Sequence, residues 1–323
     1  MIRTEIVRCK LNRETCDSLN LASGRIYSGI VSRHWRLLKQ KGLWLKEKSL
    51  TRLSDLRLSA KNLPMHAHSI DAAQQGFFKA CKTTRALRKV GIEANFPWRS
   101  KKFRTTIWKN TAINLNAGVV RLSNGQGKER IEIALPVHLH GILKVLEVRL
   151  VFNKKSRHYD WHLVVENGKQ PKQTTGTNIV SVDMGEIHPA VVGDDQESVI
   201  VTCRERRHQM QGHAKRLAKL ATALSRKKKG SRRYRKLVRA KGRMKAHHER
   251  VITDMAHKIS KEIVKVAVER QANTIVMGDI KDIADEVNLG KKTNQKVSGW
   301  NHGQIRKFVE YKAEAEGITV VLQ

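Results

Sequence analysis

The sequence predicts an α+β chain of more than one domain: a small β-barrel or sandwich with a helical lobe inserted near its start, then an α/β domain. Three observations carry that expectation. Apolar residues alternate with period two, first at Leu146, Val148, Leu150 and Phe152 and again at Tyr159, Trp161, Leu163 and Val165. Helical periodicity fills residues 13–95, between a first strand at 4–10 and that β region. From residue 177 onward, short apolar strand segments are separated by long helical ones. A length of 323 residues allows two or three domains.

Taken in order, TEIVRCK (4–10) reads as the first strand. From Arg13 to about Lys41, Ile26, Ile30 and Leu37-Leu38 share a face, with Arg25, Arg33, Arg36 and Lys39 elsewhere. A basic helical stretch at Leu50 to Leu63 ends at Pro64, and another helix runs from Ser69, as N-cap, to Gly91. FPWRSKKFR (96–104) mixes aromatics with cations, which suits stacking on bases and pairing with phosphates; a strand-entry loop with packed rings is the competing reading. An Asn124-Gly125 turn precedes a strand at 131–135. The polar Asn167 to Gly176 segment is the best domain boundary, with 171–176 as linker.

Strands follow at 178–182, 189–192 (closing at the turn signal Gly193-Asp194) and 198–203. Helical sequence then runs from Arg204 to Ala272, interrupted at Lys229-Gly230-Ser231; Val251, Met255, Ile259, Ile263 and Val266 return its second half to a core. A buried strand at 274–277 leads into Gly278-Asp279-Ile280, and a Lys-, Asn- and Gly-rich loop spans 282–298. A helix from Trp300 to Glu316 turns Ile305, Phe308-Val309 and Ala313 inward, and the last strand is 318–322.

Charge narrows the function. Lys and Arg number 64 against 29 Asp and Glu, a formal net charge of +35 spread along the chain, which points to a polyanion partner. No long apolar run or signal-peptide core favours a membrane. Cys9, Cys16, Cys81 and Cys203 form no CxxC pair, which suggests a reducing compartment and argues against zinc. Between Arg204 and Arg250 stand nineteen Lys or Arg and two acids, Glu205 and Glu249, the pattern of a nucleic-acid-binding helical arm. The adjacent pair His247-His248 is no ligand pair, because successive helical side chains diverge.

Asp183 ends the strand at 178–182 and Gly185 follows it closely. A carboxylate there either merely ends a strand or, as in RNase H-like folds, offers a hard oxygen to Mg²⁺. From 177 the element order is three short strands, long helix, strand, helix, strand, which is the RNase H-like order. Such nucleases use two metal ions held by acids from several elements.

In ASGRIYSGIV (22–31), NFPWRSKKFRTTIWKN (95–110), IVSVDMGEIHPAVV (179–192), DMAHKISKEIV (254–264), IVMGDIKDI (275–283) and WNHGQIRKFVEYKAEAEGITVV (300–321), the chain resembles the TnpB/OrfB family of insertion-sequence proteins. These transposon-encoded proteins are compact relatives of type V CRISPR effectors. The resemblance covers essentially the whole chain. It implies an RNA-guided, Mg²⁺-dependent DNA endonuclease: a wedge barrel at 1–12 and 96–170, a helical recognition lobe at 13–95, and a RuvC (RNase H-like) domain at 177–323. The arms at 204–270 would line the guide–target channel. Asp183 matches the first RuvC acid and metal ligand. The family's second acid is usually a Glu where this chain has Gly278, and Asp279 matches the Asp after it. The zinc ribbon and the last acidic helix have no counterpart in these residues, so the resemblance implies a C-terminally truncated RuvC domain, no zinc, and no cleavage by this chain alone.

The implied partners are a guide RNA, target DNA and a separately encoded C-terminal fragment, in the cytoplasm at the nucleoid. Candidate nucleic-acid contacts are Arg99, Lys101, Lys102 and Arg104; Lys227, Lys228, Arg232, Arg233, Arg235 and Arg239 in the arm; and Lys291 and Lys292. Two other functions compete: a nuclease-dead RNA-guided DNA-binding protein acting as a repressor, and a generic basic RNA-binding protein.

Overall fold

The computed structural model describes residues 2–47, 65–125, 127–154, 156–168, 170–174, 176–280 and 290–323, with the side chains of Lys292 and Ser298 excepted. The helical stretch expected at 50–63 and the first part of the loop expected at 282–298 lie outside the described residues. The chain divides into two compact units, Met1–Gly168 and Lys169–Gln323, so the division falls in the polar segment that the sequence marks as a boundary.

In the first unit, β1 (Ile2–Arg8) begins two residues earlier than expected and pairs antiparallel with β7 (His158–Glu166), far along the chain. Between them the described residues include the helices α1 (Arg13–Lys41) and α2 (Ala67–Lys89), followed by β2 (Thr106–Lys109). The Asn12 side chain caps α1 by accepting from the Thr15 amide at 2.7 Å, and Gly42 ends the helix in the left-handed conformation at φ 63°. The cap of α2 is His66. Ser69, the expected cap, lies inside the helix and is buried.

Two sheets complete the unit: β1-β7-β6-β2, with β6 at Lys144–Asn153, and β3-β4-β5, formed by Ile113–Asn116, Val119–Leu122 and Ile131–Ala134. Period-two alternation turns Val148, Leu150, Trp161, Leu163 and Val165 of one sheet and Val120, Leu122, Ile131 and Ile133 of the other into a shared core. The alternation expected through Leu146 fails. The β6–β7 register shifts between Val145 and Glu147, so Val145 takes the buried place and Leu146 is only half-buried. A second core joins α1 to α2 through Ile26, Tyr27, Ile30 and Phe77.

The second unit is built on one five-stranded sheet in the order β10-β9-β8-β11-β12. Its strands are β8 (Asn178–Asp183), β9 (Ala190–Gly193), β10 (Ser198–Val201), β11 (Ala272–Met277) and β12 (Thr319–Leu322). β9 runs antiparallel to its neighbours; β8, β11 and β12 are mutually parallel. At the β9–β10 turn the Asp194 carboxylate accepts from the amides of Gln196 and Glu197, which fixes the reversal expected there.

Between β10 and β11 come α3 (Arg204–Ser225) and α4 (Arg232–Glu269); α5 (Lys291–Gly299) and α6 (His302–Ala315) precede β12. Much of the loop expected before Trp300 is therefore helix. One sheet face, with Val180, Val182, Val192, Ile275 and Met277, packs on Ala256, Ile259 and Ile263 of α4 and on Ile305, Val309 and Ala313 of α6. Ile263 is fully buried, and truncating such a side chain to Ala costs about 2–5 kcal/mol. The opposite face carries Ile179, Ser181 and Asp183, all exposed.

Candidate nucleic-acid interface and acidic site

The cationic loop of the first unit is strapped to α1 along its backbone. Ser28 Oγ donates to the Lys101 carbonyl at 3.1 Å and accepts from the Lys101 amide at 2.9 Å. The Arg104 amide donates to the Asn20 carbonyl, and the buried Asn20 side chain accepts from both the amide and the hydroxyl of Thr106. Trp35 Nε1 donates to the Pro97 carbonyl at 3.0 Å. Gly24 makes the close approach possible, since a Cβ there would stand 2.3 Å from the Lys102 carbonyl oxygen.

On that strap the side chains divide. Arg99 lies over the Trp98 ring at 5.1 Å and Lys102 over the Phe103 ring at 5.6 Å, and both rings are exposed. Lys101 is exposed and sits 5.1 Å from the Tyr27 ring. Arg104 turns inward instead. It covers Tyr27 at 5.2 Å and packs so closely on α2 that a Cβ at Gly76 would meet its guanidinium at 1.9 Å. Burial depresses its pKa, and the nearby Tyr27 partly offsets this. Of the four candidate cations in this loop, three face solvent and one is a packing group.

The second unit holds its cations differently. α3 buries only Arg206, and the first half of α4 buries only Ala246, so both helices project without a core. The Ser231 side chain starts α4 by accepting from the Tyr234 amide at 3.1 Å. Arg232, Arg235, Arg239 and Arg243 fall at helical spacing on one face. With Arg233 and Lys236 they line a groove of about 880 Å³ whose whole lining is cationic. Lys236 and Arg243 thereby join the residues read from the sequence, and both belong to the same charge run. Lys227 and Lys228 are exposed in the turn between the helices, and Lys291 is exposed at the start of α5. The Lys292 side chain lies outside the described residues.

Where α3 meets α4, His213 and His248 stack with centroids 3.8 Å apart and planes within 2°. Burial, then the charges of His213, Arg216 and His247, push His248 down to about 4. His247 is exposed, so the adjacent histidines do point apart.

The acids sit on the sheet. Asp183 closes β8 on the exposed face. The β8–β11 register runs Ile275 with Val180, Val276 with Ser181 and Met277 with Val182, so the next position, Gly278, continues opposite Asp183. A side chain at 278 would share the Asp183 face, and a Cβ there would meet nothing within 4 Å. Asp279 belongs to the other parity and is committed elsewhere. Its carboxylate accepts from Arg306 at 2.9 Å, and its amide donates to the Gln323 carbonyl at 2.7 Å. Among the described residues there is no group of three or more His, Cys, Asp or Glu that could hold a metal ion. Among the described residues, Asp183 has a glycine and no second acid opposite it.

Residues 162–284 match the OrfB_IS605 family model, described as a probable transposase. A TnpB-like protein of Methanocaldococcus jannaschii is 31% identical over 94 residues, 29% of this chain and 34% of that relative. Over these stretches the chain is similar to the TnpB/OrfB family. The aligned part spans about a third of the curated relative's length. A solved Cas12f1–sgRNA–target DNA complex shares the fold with a TM-score of 0.63 at 13% identity, over 96% of this chain and 73% of that one. The chain therefore carries a mixed α+β fold like that of the Cas12f1 protein. No helix among its described residues is long and apolar enough to cross a membrane.

Proposed function

We propose that this chain binds a guide RNA and target DNA as an RNA-guided protein of the TnpB type, with residues 177–323 as its RuvC-like domain. The wedge would be 1–12 with 96–170, the recognition lobe 13–95, and the linker 171–176. The observation that carries the proposal is the second unit's architecture. A central strand ends on Asp183 in a sheet of order β10-β9-β8-β11-β12, and the cationic α3–α4 hairpin leaves that sheet. The solved Cas12f1 relative is itself a complex with guide RNA and target DNA, which supports these partners. A Mg²⁺-dependent nuclease of this fold would use Asp183 as its first metal ligand, but the residues opposite it do not complete a centre. The glycine at 278 and the Arg306 contact of Asp279 favour binding without cleavage by these 323 residues.

The test is the purified chain with the RNA transcribed from its own locus. Binding of that RNA and of matching DNA is expected, without DNA cleavage in Mg²⁺; robust cleavage overturns the inactive reading, and absence of any preferred RNA overturns the guided one. Gly278→Glu would place a second carboxylate beside Asp183, and Mg²⁺ titration should then show a heat that Asp183→Asn removes.

A further inference from the structure

The sequence separates Cys9 from Cys16 by six residues, and the fold brings their sulfurs to 3.6 Å. Cys9 follows the last residue of β1, and Cys16 occupies the first full turn of α1. Both ends are held. The Cys9 amide donates to the Tyr159 carbonyl of β7 at 3.1 Å, and the Tyr159 hydroxyl returns to the Asp17 carboxylate at 2.5 Å. The two thiols therefore face each other from pinned elements, in contact without a covalent bond. Cys9 is partly buried while Cys16 is 1% exposed, so of the two only Cys9 keeps access to a small solute.

We propose that Cys9 and Cys16 are a hydroperoxide-sensitive thiol pair that closes to an intramolecular disulfide stapling β1 to α1. Cys9 is the reacting sulfur. It is reached from solvent, and its sulfur lies 3.6 Å from that of Cys16, a residue in the first turns of a 29-residue helix. That contact lowers the Cys9 pKa, against burial and the Asp160 charge, and raises that of Cys16, which makes Cys9 the more acidic of the two. The thiolate attacks one peroxide oxygen; the S–O bond forms as the O–O bond breaks, and the departing hydroxide takes a proton to become water. The Cys16 sulfur then gives up its proton and attacks the Cys9 sulfur. The S–S bond forms, the S–O bond breaks, and a second water leaves. Two thiols lose two electrons, and one hydrogen peroxide is reduced to two waters; an organic hydroperoxide would leave an alcohol in place of the first water.

The other cysteines lack this arrangement. Cys81 is buried, and burial raises its pKa; Cys203 belongs to the second unit. Among the described residues no third ligand joins the pair to make a metal group.

The experiment treats the folded, full-length chain with stoichiometric hydrogen peroxide, counts thiols, and maps peptides without reduction. The expected result is loss of two of the four thiols, a mass decrease of about 2 Da, and a linked peptide pair containing Cys9 and Cys16. A Cys81→Ser/Cys203→Ser double variant should lose the same two thiols. Cys16→Ser should stop at a Cys9 sulfenic acid that dimedone traps, and Cys9→Ser should form no link. Four retained thiols, a link through Cys81 or Cys203, a disulfide between two chains, or direct over-oxidation of Cys9 in the wild-type chain would each overturn the proposal.

Discussion

The loop at 96–104 and the hairpin at 204–250 are about equally basic, with four cations in nine residues and nineteen in forty-seven, yet they hold that charge in different ways. In the loop the backbone is strapped to α1, two cations lie on exposed rings, and Arg104 is spent on packing. In the hairpin the helices have almost no core of their own, and six cations open onto one groove. A rigid, ring-bearing loop suits contact with bases, whereas an unneutralised helical stripe suits phosphates. Composition alone does not separate the two; what each backbone is fastened to does.

The largest expected effect tests the hairpin. Replacing Arg232, Arg235, Arg239 and Arg243 with Gln should weaken duplex binding about 10²–10³-fold near physiological salt. The log–log salt slope should shrink by about 0.9 for each phosphate that is no longer neutralised. Titrations at several salt concentrations measure both, and an unchanged slope would mean that the groove meets no phosphates. Next in size is the loop. Trp98→Ala and Phe103→Ala should each cost single-strand affinity about 1–3 kcal/mol, the worth of one stacked base, while leaving the duplex salt slope alone. Equal losses on duplex and single strand would erase the distinction between the two regions.

Arg104→Ala should behave unlike its neighbours. Its removal takes packing from Tyr27 and leaves a gap above Gly76, so the chain should lose about 1–2 kcal/mol of stability with little change in salt slope. A calorimetric melt beside a binding titration separates the outcomes. If Arg104→Ala instead lowers the slope with the melt unchanged, the residue meets phosphate after all.

That contrast also marks what the sequence reveals. Period-two runs identify the strands carrying Leu150, Trp161 and Leu163, because alternation is a local consequence of the pleat, and a short apolar run identifies the buried strand carrying Ile275 and Met277. The sparse acids between Arg204 and Arg250 likewise reveal the arm. Features set by distant partners are hidden. Nothing near Arg104 signals that Gly76 leaves it a berth, and nothing near Asp279 signals that Arg306 will take it. The β6 register shift moves burial from Leu146 to Val145, a difference that appears only once β7 is beside it. The Cys9–Cys16 contact likewise depends on the path from β1 into α1, since spacing alone suggests no pair.

The smallest effect separates the regions by pH. Residues 96–104 contain no histidine or carboxylate, whereas the hairpin stacks His213 on His248. Burial lowers both histidines, Arg216 and Lys245 add repulsion at His213, and His248 is held near 4 against an ordinary 6.5. An unfolded hairpin takes up its proton near 6.5, while the folded one resists until about 4. Stability is therefore fully present above 6.5 and is lost as pH falls toward 4. Melts of the chain should be level above pH 7 and decline between pH 6.5 and 5, above the range in which ordinary carboxylates titrate. His248→Phe keeps a ring in the stack and should make that decline shallower; His34, His66, His162, His257 and His302, also lowered by burial, keep part of it. Bound nucleic acid should flatten it too, because phosphates offset the charge that opposes protonation. A decline left undiminished by both His248→Phe and His213→Phe would assign the pH dependence to histidines outside the hairpin and remove the difference from the loop.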